Sequence, residues 1–120
     1  MSTPRPGSKT RGSHSGAPIN ALFDLLGRRW ALGIIWNLGG GKTATFRELQ
    51  AACETVSPSI LNVRIKELRE ADIVEKAEDG YRLTERGRRL REALGPLGAW
   101  SWSWAEDVFG FAKADVYPDA

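Results

Sequence analysis

The most restrictive feature of this chain is a helical apolar stripe that gives way to a tight hairpin. Ser57-Pro58 is typical of a helix start, with a serine cap and a proline that the first turn tolerates. The stripe then recurs every three or four residues, at Leu61, Ile65 and Leu68. Asp79-Gly80 predicts a tight turn between two short strands, at residues 73–76 and 81–83. The pattern predicts a helix followed at once by a two-stranded hairpin.

Three helices are predicted before this unit. The first begins at Pro18 and ends at Gly27, and its apolar residues follow helical spacing: Ile19, Leu22, Phe23, Leu25 and Leu26. The second, residues 30–38, is apolar nearly all round, which indicates a central, buried helix. The third, residues 46–53, follows a segment predicted to be extended, residues 43–45. The third and fourth helices form a helix-turn-helix, and the hairpin is its wing.

The sequence after the hairpin predicts a long helix and then a break. Thr84 caps a fifth helix that runs from Glu85 to about Leu94. Gly95-Pro96 should kink or break it, because proline lacks a backbone donor and clashes with the preceding turn. A last helix carries three tryptophans. The predicted fold class is mainly α with a small β-hairpin, a winged helix-turn-helix that dimerises through its terminal helices. Its predicted parts are a flexible basic arm, the winged domain, an aromatic dimerisation helix and an acidic tail, at residues 1–16, 17–94, 95–112 and 113–120.

Charge and cysteine content restrict the function classes. The net charge is only +2, but basic groups gather in residues 1–16 and acidic groups in residues 106–120. This favours a polyanion near the N-terminus, or two solvated tails. One cysteine, Cys53, and one histidine, His14, exclude an intramolecular disulfide and predict no metal site. No catalytic constellation is present, so we expect neither an enzyme nor a cofactor.

The apolar content also bears on the compartment. The N-terminal segment has no apolar core and so does not resemble a secretory signal. No run approaches the roughly 18 apolar residues of a membrane-spanning helix. We expect a soluble, cytoplasmic protein with no membrane partner.

Five segments, taken in order, resemble the HxlR family of winged helix-turn-helix regulators. They are Ala17-Pro18-Ile19, residues 25–30 (LLGRRW), Phe46-Arg47-Glu48-Leu49, residues 57–68 and residues 81–87. Each segment alone is common among winged helices, whereas all five at this spacing are specific. The resemblance covers about residues 17–104 and implies a homodimer that binds operator DNA and responds to small molecules or oxidants.

Three positions depart from the family pattern. Many members have a cysteine immediately before the Pro-aliphatic pair, where this chain has Ala17. Cys53 lies on the apolar face of the third helix, so we expect a small buried hydrophobe and no thiol redox switch. The wing tip, Glu78-Asp79, is acidic. Asp72 stands where the family usually has glycine, at a left-handed position that aspartate tolerates less easily.

An operator-binding role assigns functions to the fourth helix, expected at about residues 58–71 in the major groove. Asparagine can pair with adenine, lysine with guanine, and valine can touch a thymine methyl group. The predicted base contacts are Ser59, Asn62, Val63 and Lys66. The predicted phosphate contacts surround them and are Arg28, Arg29, Lys42, Thr43, Ser57, Arg64, Arg69, Lys76 and Arg82. Arg64 and Arg69 can instead pair with glutamates such as Glu67 or Glu70. The acidic tip argues against entry of the wing into a minor groove.

The terminal helices are the predicted dimer interface. In a helix, one stripe of the last segment holds Leu97, Trp100, Trp104, Val108 and Phe111, whereas Trp102 and Phe109 project from the opposite side. A second subunit would cover the side that the chain leaves open, since monomers avoid large apolar patches. The predicted interface residues are Leu22, Phe23, Leu26, Leu97, Trp100, Trp102, Trp104 and Phe109. The rival interpretation is a pocket for a small-molecule effector near the C-terminal tryptophans.

The predicted partners are therefore double-stranded DNA and a second copy of the chain. The alternative function is a winged-helix protein-interaction module with weak or no DNA binding. The acidic wing and the small net charge favour that alternative.

Overall fold

The computed structural model describes residues 3–7 and 16–115. In chain order the described elements are α1 (Pro18–Leu26), α2 (Ala31–Asn37), α3 (Phe46–Ala52), α4 (Pro58–Glu70), β1 (Val74–Ala77), β2 (Gly80–Leu83), α5 (Glu85–Phe109) and a 3₁₀ turn (Lys113–Asp115). The chain divides after Arg88 into two compact units. The predicted fold class, mainly helical with one small hairpin, is confirmed. His14 and residues 116–120 of the predicted tail lie outside the described residues.

The core of the first unit is built around one face of α2. The expectation that this helix is buried nearly all round is wrong for its other side, where Leu32 and Trp36 are exposed. Ala31, Ile34, Ile35 and Leu38 have no exposed surface. Leu49 of α3, the inward stripe of α4 and one residue of each strand complete the core, and the fully buried large side chains are Ile34, Ile35, Leu38, Leu49, Leu61, Leu68 and Val74. Each such side chain stabilises the fold by roughly 1.5–3 kcal/mol relative to an exposed one.

The helix starts follow local capping chemistry. Pro18 begins α1, and the Ser57 hydroxyl accepts a hydrogen bond from the Ile60 amide at 3.3 Å, as predicted. Thr84 caps α5, because its hydroxyl accepts a 2.9 Å bond from the Gly87 amide. At α3, Thr45 and Glu48 form a reciprocal capping box. The sequence contains the Thr-x-x-Glu spacing that is typical of this box.

The hairpin turns one residue earlier than Asp79-Gly80 predicts. The two-residue loop is Glu78-Asp79, and Gly80 opens β2 opposite Ala77. Gly80 has φ +144°, and a Cβ there would lie 2.3 Å from the carbonyl oxygen of Ala44. That close approach exists because Ala44 pairs with Tyr81 through two backbone hydrogen bonds of 2.8 and 2.9 Å. Gly80 therefore serves the packing of this third strand segment, and the extended backbone expected at residues 43–45 is confirmed at Ala44.

Helix α4 ends in the left-handed position expected at Asp72. Asp72 has φ +60°, and its amide donates to Arg69 O at 3.0 Å. The next amide, of Ile73, donates to Leu68 O at 2.9 Å, which completes a Schellman motif. Ile73 and Leu68 are both buried, so the motif turns the chain from α4 directly into β1.

Of the two outcomes predicted at Gly95-Pro96, a kink or a break, the break is wrong, because α5 continues from Glu85 to Phe109 with Pro96 inside it. A proline removes the hydrogen bond to the carbonyl four residues earlier, here that of Glu92. Glu92 and Pro96 are both exposed, so water can solvate that carbonyl and the ring meets solvent. The helix therefore passes the proline at a position where the penalty is smallest.

Candidate nucleic-acid interface

The outer face of α4 presents the four predicted base-contact residues to solvent. Ser59, Asn62, Val63 and Lys66 are all exposed, whereas the opposite stripe of Leu61, Ile65 and Leu68 is at most 3% exposed. The helical period separates the two faces, and burial of the stripe fixes which face looks outward. Ile60, 41% exposed, adds an apolar side chain that sequence reasoning did not assign to this surface. The arrangement offers hydroxyl, amide, aliphatic and ammonium groups on one helix face.

Two arginines predicted to contact phosphates lie instead in a buried ion-pair network around Glu67. The Glu67 carboxylate accepts hydrogen bonds from Arg28 and, at 2.8 Å, from Arg64. Arg28 also lies 3.7 Å from the carboxylate of Asp24 in α1. These four side chains are each at most 12% exposed, and their charges sum to zero. Arg64 therefore pairs with Glu67, which is one of the alternatives that the sequence left open. Arg28 and Arg64 have little exposed surface with which to contact a phosphate.

The Arg64 guanidinium is further held by backbone. Its Nε donates to Arg29 O at 2.8 Å. Burial, and next the charge of Arg28, lowers the pKa of Arg64. Arginine still stays protonated at neutral pH, so the network remains ionic. Sequence reasoning named the Arg64–Glu67 spacing but missed Asp24, because nothing local shows which turns of α1 and α4 meet.

Arg29 keeps its side chain on the surface. It is exposed and stacks on the Trp30 ring, with 4.7 Å from guanidinium carbon to ring centroid. Trp30 precedes α2 with φ +79°, a left-handed conformation that is rare for a bulky residue. The two residues border a cleft of about 340 Å³ beside the start of α4, whose other lining residues are Thr55, Val56, Ser57, Ile60 and Arg64. Arg29 therefore presents an exposed cation beside the start of α4.

A second cleft, of about 510 Å³, separates the second half of α4 from β1. It brings together three predicted DNA contacts, Lys66, Arg69 and Lys76, with acidic neighbours at Glu70, Asp72 and Glu75. Lys76 lies over the Tyr81 ring at 4.6 Å, which orients its ammonium group. Glu70 accepts a 2.5 Å hydrogen bond from the hydroxyl of Thr3, a buried residue of the predicted arm.

The remaining predicted phosphate contacts differ in their surroundings. Arg82 pairs with Glu75 at 2.6 Å, with both side chains about half exposed, an arrangement that contributes little stability. Lys42 is exposed and Thr43 half-buried, just before the α3 capping box. The acidic tip is confirmed as the end of the hairpin, and both of its carboxylates are exposed.

Comparison with known proteins decides the family. The family model described as HxlR-like helix-turn-helix matches residues 25–109. The chain belongs to this family. It is a DNA-binding transcription regulator, as the sequence predicted, and the family and its relatives are regulators, not enzymes.

Relatives and solved structures agree with this assignment. The HTH-type transcriptional regulator YodB of Bacillus subtilis is 32% identical over 95 residues, which is 73% of this chain and 84% of YodB. The crystal structure of quinone-bound YodB has a TM-score of 0.63 at 34% identity and covers 69% of this chain and 93% of that one. A possible HxlR family transcriptional factor from Thermoplasma volcanium has a TM-score of 0.62 at 32% identity, over 69% and 80% of the two chains.

The described residues of this family member show neither a metal-binding cluster nor a membrane-spanning helix. Among residues 3–7 and 16–115, no cluster of three His, Cys, Asp or Glu side chains is placed to hold a metal ion. The helices of the same described part are not long and apolar enough to cross a membrane.

The single thiol of this HxlR-like chain is enclosed. Cys53 caps the end of α3 and is 4% exposed, as expected for a small buried hydrophobe. Burial raises the pKa of its thiol, because the thiolate would lose its hydration. At neutral pH the sulfur is thus a protonated, poorly nucleophilic group.

The predicted dimer residues divide into exposed and half-buried positions. Leu22, Leu26 and Trp102 are half-buried, whereas Phe23, Leu97, Trp100, Trp104 and Phe109 are exposed. Trp100 and Trp104 stack at 5.9 Å between ring centroids. Exposed Leu97 and Val108 extend this surface.

The assignment of Phe111 to the stripe of α5 that holds Trp100 and Trp104 is wrong. Phe109 packs edge-on against Trp104 at 5.2 Å, and Phe111 stacks with Trp102 at 6.4 Å. The reason is that Gly110, with φ +64°, ends the helix and redirects the chain before Phe111. Helical spacing therefore stops applying after Phe109, two residues before the last member of the predicted stripe, Phe111.

Proposed function

We propose that this regulator binds a specific operator with α4 in the major groove. The observation that carries the proposal is the exposed row of Ser59, Asn62, Val63 and Lys66 on the face of α4 opposite its buried stripe. Such groups can discriminate base pairs by hydrogen bonds and by contact with a thymine methyl group. Each bidentate contact contributes about 1–3 kcal/mol of discrimination.

Phosphate contacts surround this face in the proposal. Lys66 and Arg69 border the cleft beside Lys76, while Arg29 lies at the other end of the helix. Cations on both sides of a helix can hold the two strands of DNA that flank the groove. The proposed phosphate contacts are Arg29, Lys42, Thr43, Ser57, Arg69, Lys76 and Arg82. Arg28 and Arg64 are left out because Glu67 and Asp24 already neutralise them.

We further propose a homodimer formed through the terminal helices. The exposed aromatic surface of α5 and exposed Phe23 of α1 support it, since a monomer would leave these rings in water. A two-fold dimer would place two recognition helices about one DNA turn, ~34 Å, apart. Its site of action would be the cytoplasm, where the DNA of a bacterial or archaeal cell lies.

A small-molecule effector near the C-terminal tryptophans is a finer part of the same proposal. The relative YodB has been solved with a quinone bound. Here the stacked pair Trp100 and Trp104 offers a flat aromatic surface to a planar ligand. Because Cys53 is buried, we expect such a ligand to bind without a thiol adduct.

The test begins with selection of bound duplexes from a random DNA library. Asn62→Ala should weaken binding to the selected duplex by about 1–3 kcal/mol and relax preference at particular bases. Asn37→Ala is the matched control, because Asn37 is exposed on α2 and bonds only locally, to Gly33 O at 2.7 Å. Equal affinity of Asn62→Ala and wild type would overturn the placement of α4.

The protein-interaction alternative gives a different result in the same experiment. The acidic, exposed tip of the wing favours it. A DNA-binding protein loses affinity linearly in log salt as counterions leave the phosphates, whereas an interaction module shows no such slope on duplex DNA. A salt series on random duplex therefore separates the two functions.

A further inference from the structure

The recognition helix carries one buried carboxylate, and DNA contact does not explain it. Glu67 is 3% exposed and follows Lys66 by one residue. One residue is about 100° of helix rotation, so Glu67 points away from the direction in which Lys66 meets solvent. A buried carboxylate is destabilising unless cations and hydrogen bonds satisfy it. The apolar stripe of Leu61, Ile65 and Leu68 packs α4 on the core without this residue. The contribution of the buried charge therefore needs a separate explanation.

The partners of Glu67 come from two places that differ in the fold. Arg64 lies one turn earlier on α4, while Arg28 lies in the junction between α1 and α2. Arg28 in turn approaches Asp24 of α1. Hydrophobic contacts along the stripe are non-directional and permit small rotations of a helix. Charge-assisted hydrogen bonds to a fixed carboxylate are directional, so they define one rotation and one height of α4 against the junction.

Arg64 extends this link to a proposed DNA contact. Its Nη1 donates to Glu67 at 2.8 Å, and its Nε donates to the carbonyl oxygen of Arg29 at 2.8 Å. The backbone of Arg29 is thereby tied to α4, while the Arg29 side chain is exposed and rests on Trp30. Through Arg64, the Glu67 carboxylate therefore links the base-contact face of α4 to Arg29, whose side chain is an exposed cation at the start of the helix.

We propose that Glu67 is a positioning residue for DNA recognition. It fixes α4 relative to the α1–α2 junction, so that Asn62 and Lys66 reach bases while Arg29 reaches the phosphate of the same duplex. Glu67 does not touch DNA and acts through Arg28 and Arg64. The inference rests on the proposed placement of α4 in the major groove.

The first test is Glu67→Gln, which keeps the shape of the side chain and removes its charge. Affinity for the duplex selected by wild type should fall about tenfold or more, while affinity for random duplex, set by phosphate contacts, should stay the same or rise. Glu92→Gln is the matched control, since it makes the same charge change at an exposed position of α5, outside the two clefts beside α4. Affinities are compared per folded protein, with the folded fraction taken from circular dichroism at the binding temperature.

The direction of the change separates positioning from direct contact. If Arg28 and Arg64 themselves hold phosphates, removal of their anionic partner strengthens binding to both duplexes. Unchanged or tighter binding of Glu67→Gln to the selected duplex therefore overturns the proposal. If wild type selects no duplex at all, the proposed function fails first, and the two failures are distinguished.

A second variant covers the outcome in which Glu67→Gln does not fold. Simultaneous Asp24→Leu, Arg28→Met, Arg64→Met and Glu67→Met replaces the whole buried network by apolar side chains, so that no carboxylate is left unpaired. Replacement of a buried ion-pair network by apolar side chains is often neutral or stabilising for a fold. We expect a folded protein with the same loss of selectivity between selected and random duplex. A folded quadruple variant with wild-type selectivity would show that packing alone positions α4.

Discussion

The two compact units of this chain differ in how far they bury their own apolar residues. Every buried hydrophobic residue of the described chain lies between Ala21 and Leu83, in the first unit. Among residues 89–115 none is buried, although this segment holds three of the five tryptophans. The first unit holds the winged domain, whereas residues 89–115 form most of α5 and a turn with no core of their own.

The difference is the observation on which the proposed dimer rests. A helix of marginal intrinsic stability normally gains its stability by packing an apolar face. In the first unit, one face of α2 is fully buried by the winged domain itself, at Ala31, Ile34 and Ile35. In the second, Trp100 and Trp104 stack on each other and remain 59% and 46% exposed. The proposed dimer places a second subunit on that surface.

The largest expected effect is in the closed core. Ile34→Ala removes a side chain with no exposed surface and should lower the free energy of unfolding by about 2–5 kcal/mol. Leu97→Ala, at a 57% exposed position, should change the unfolding of a monomer by less than about 0.5 kcal/mol. Urea titrations at low protein concentration measure both. Similar losses in the two variants would contradict the contrast between the units.

The next effect concerns assembly. Deletion of residues 96–120 should leave the winged domain folded and raise the dimer dissociation constant by about 100-fold or more, since the exposed aromatic surface goes with them. Trp100→Ala should weaken the dimer in the same direction, and Trp36→Ala, an exposed tryptophan of α2, is its control. Sedimentation equilibrium gives the constants. A truncated protein that is folded and still dimeric would place the interface elsewhere.

A smaller effect is expected at the start of α4. Ser57→Ala removes the hydroxyl that accepts from the Ile60 amide and should cost about 1 kcal/mol of stability. Thr55→Ala, two residues before the cap and exposed, leaves the cap in place and should be near neutral in thermal unfolding. Equal melting temperatures for wild type and Ser57→Ala would mean that other contacts start the helix.

The smallest expected effect concerns the Cys53 thiol, whose reactivity reports how well the folded chain shields it from solvent. Because burial raises the pKa of Cys53, little thiolate forms at pH 8, and a disulfide reagent should react about tenfold or more slowly than with Ser103→Cys in a Cys53→Ser background. The thiol of the unfolded chain has the lower pKa and ionises first. The free energy of unfolding therefore falls as pH rises through the ordinary thiol range. Mild peroxide should leave DNA binding unchanged in wild type and in Cys53→Ser. Peroxide-dependent loss that Cys53→Ser prevents would establish a redox switch.

Local patterns accounted for most elements of the winged domain. Pro18, Ser57 and Thr84 start helices because capping and proline geometry depend on the nearest residues alone. The left-handed turn at Asp72 follows from the same kind of local chemistry. The outer face of α4 could be predicted too, since periodicity separates it from the buried stripe.

Other features depended on neighbours that are distant in sequence. The shift of the turn to Glu78-Asp79 follows from the close approach of Ala44 to Gly80. The pairing of Phe111 with Trp102 follows from the chain reversal at Gly110. Neither has a counterpart in the apolar pattern.

The sequence by itself therefore determined the order of the helices, their starts, the buried stripe of α4 and the winged architecture, because each depends on short-range periodicity and capping. Tertiary structure alone decided that Arg28 and Arg64 face Glu67, and that α5 runs on through Pro96. An ion pair across 39 residues, or water at an exposed helix carbonyl, depends on which surfaces meet after folding. The same arginines look equally suited to a phosphate and to a carboxylate until the fold brings the carboxylate to them.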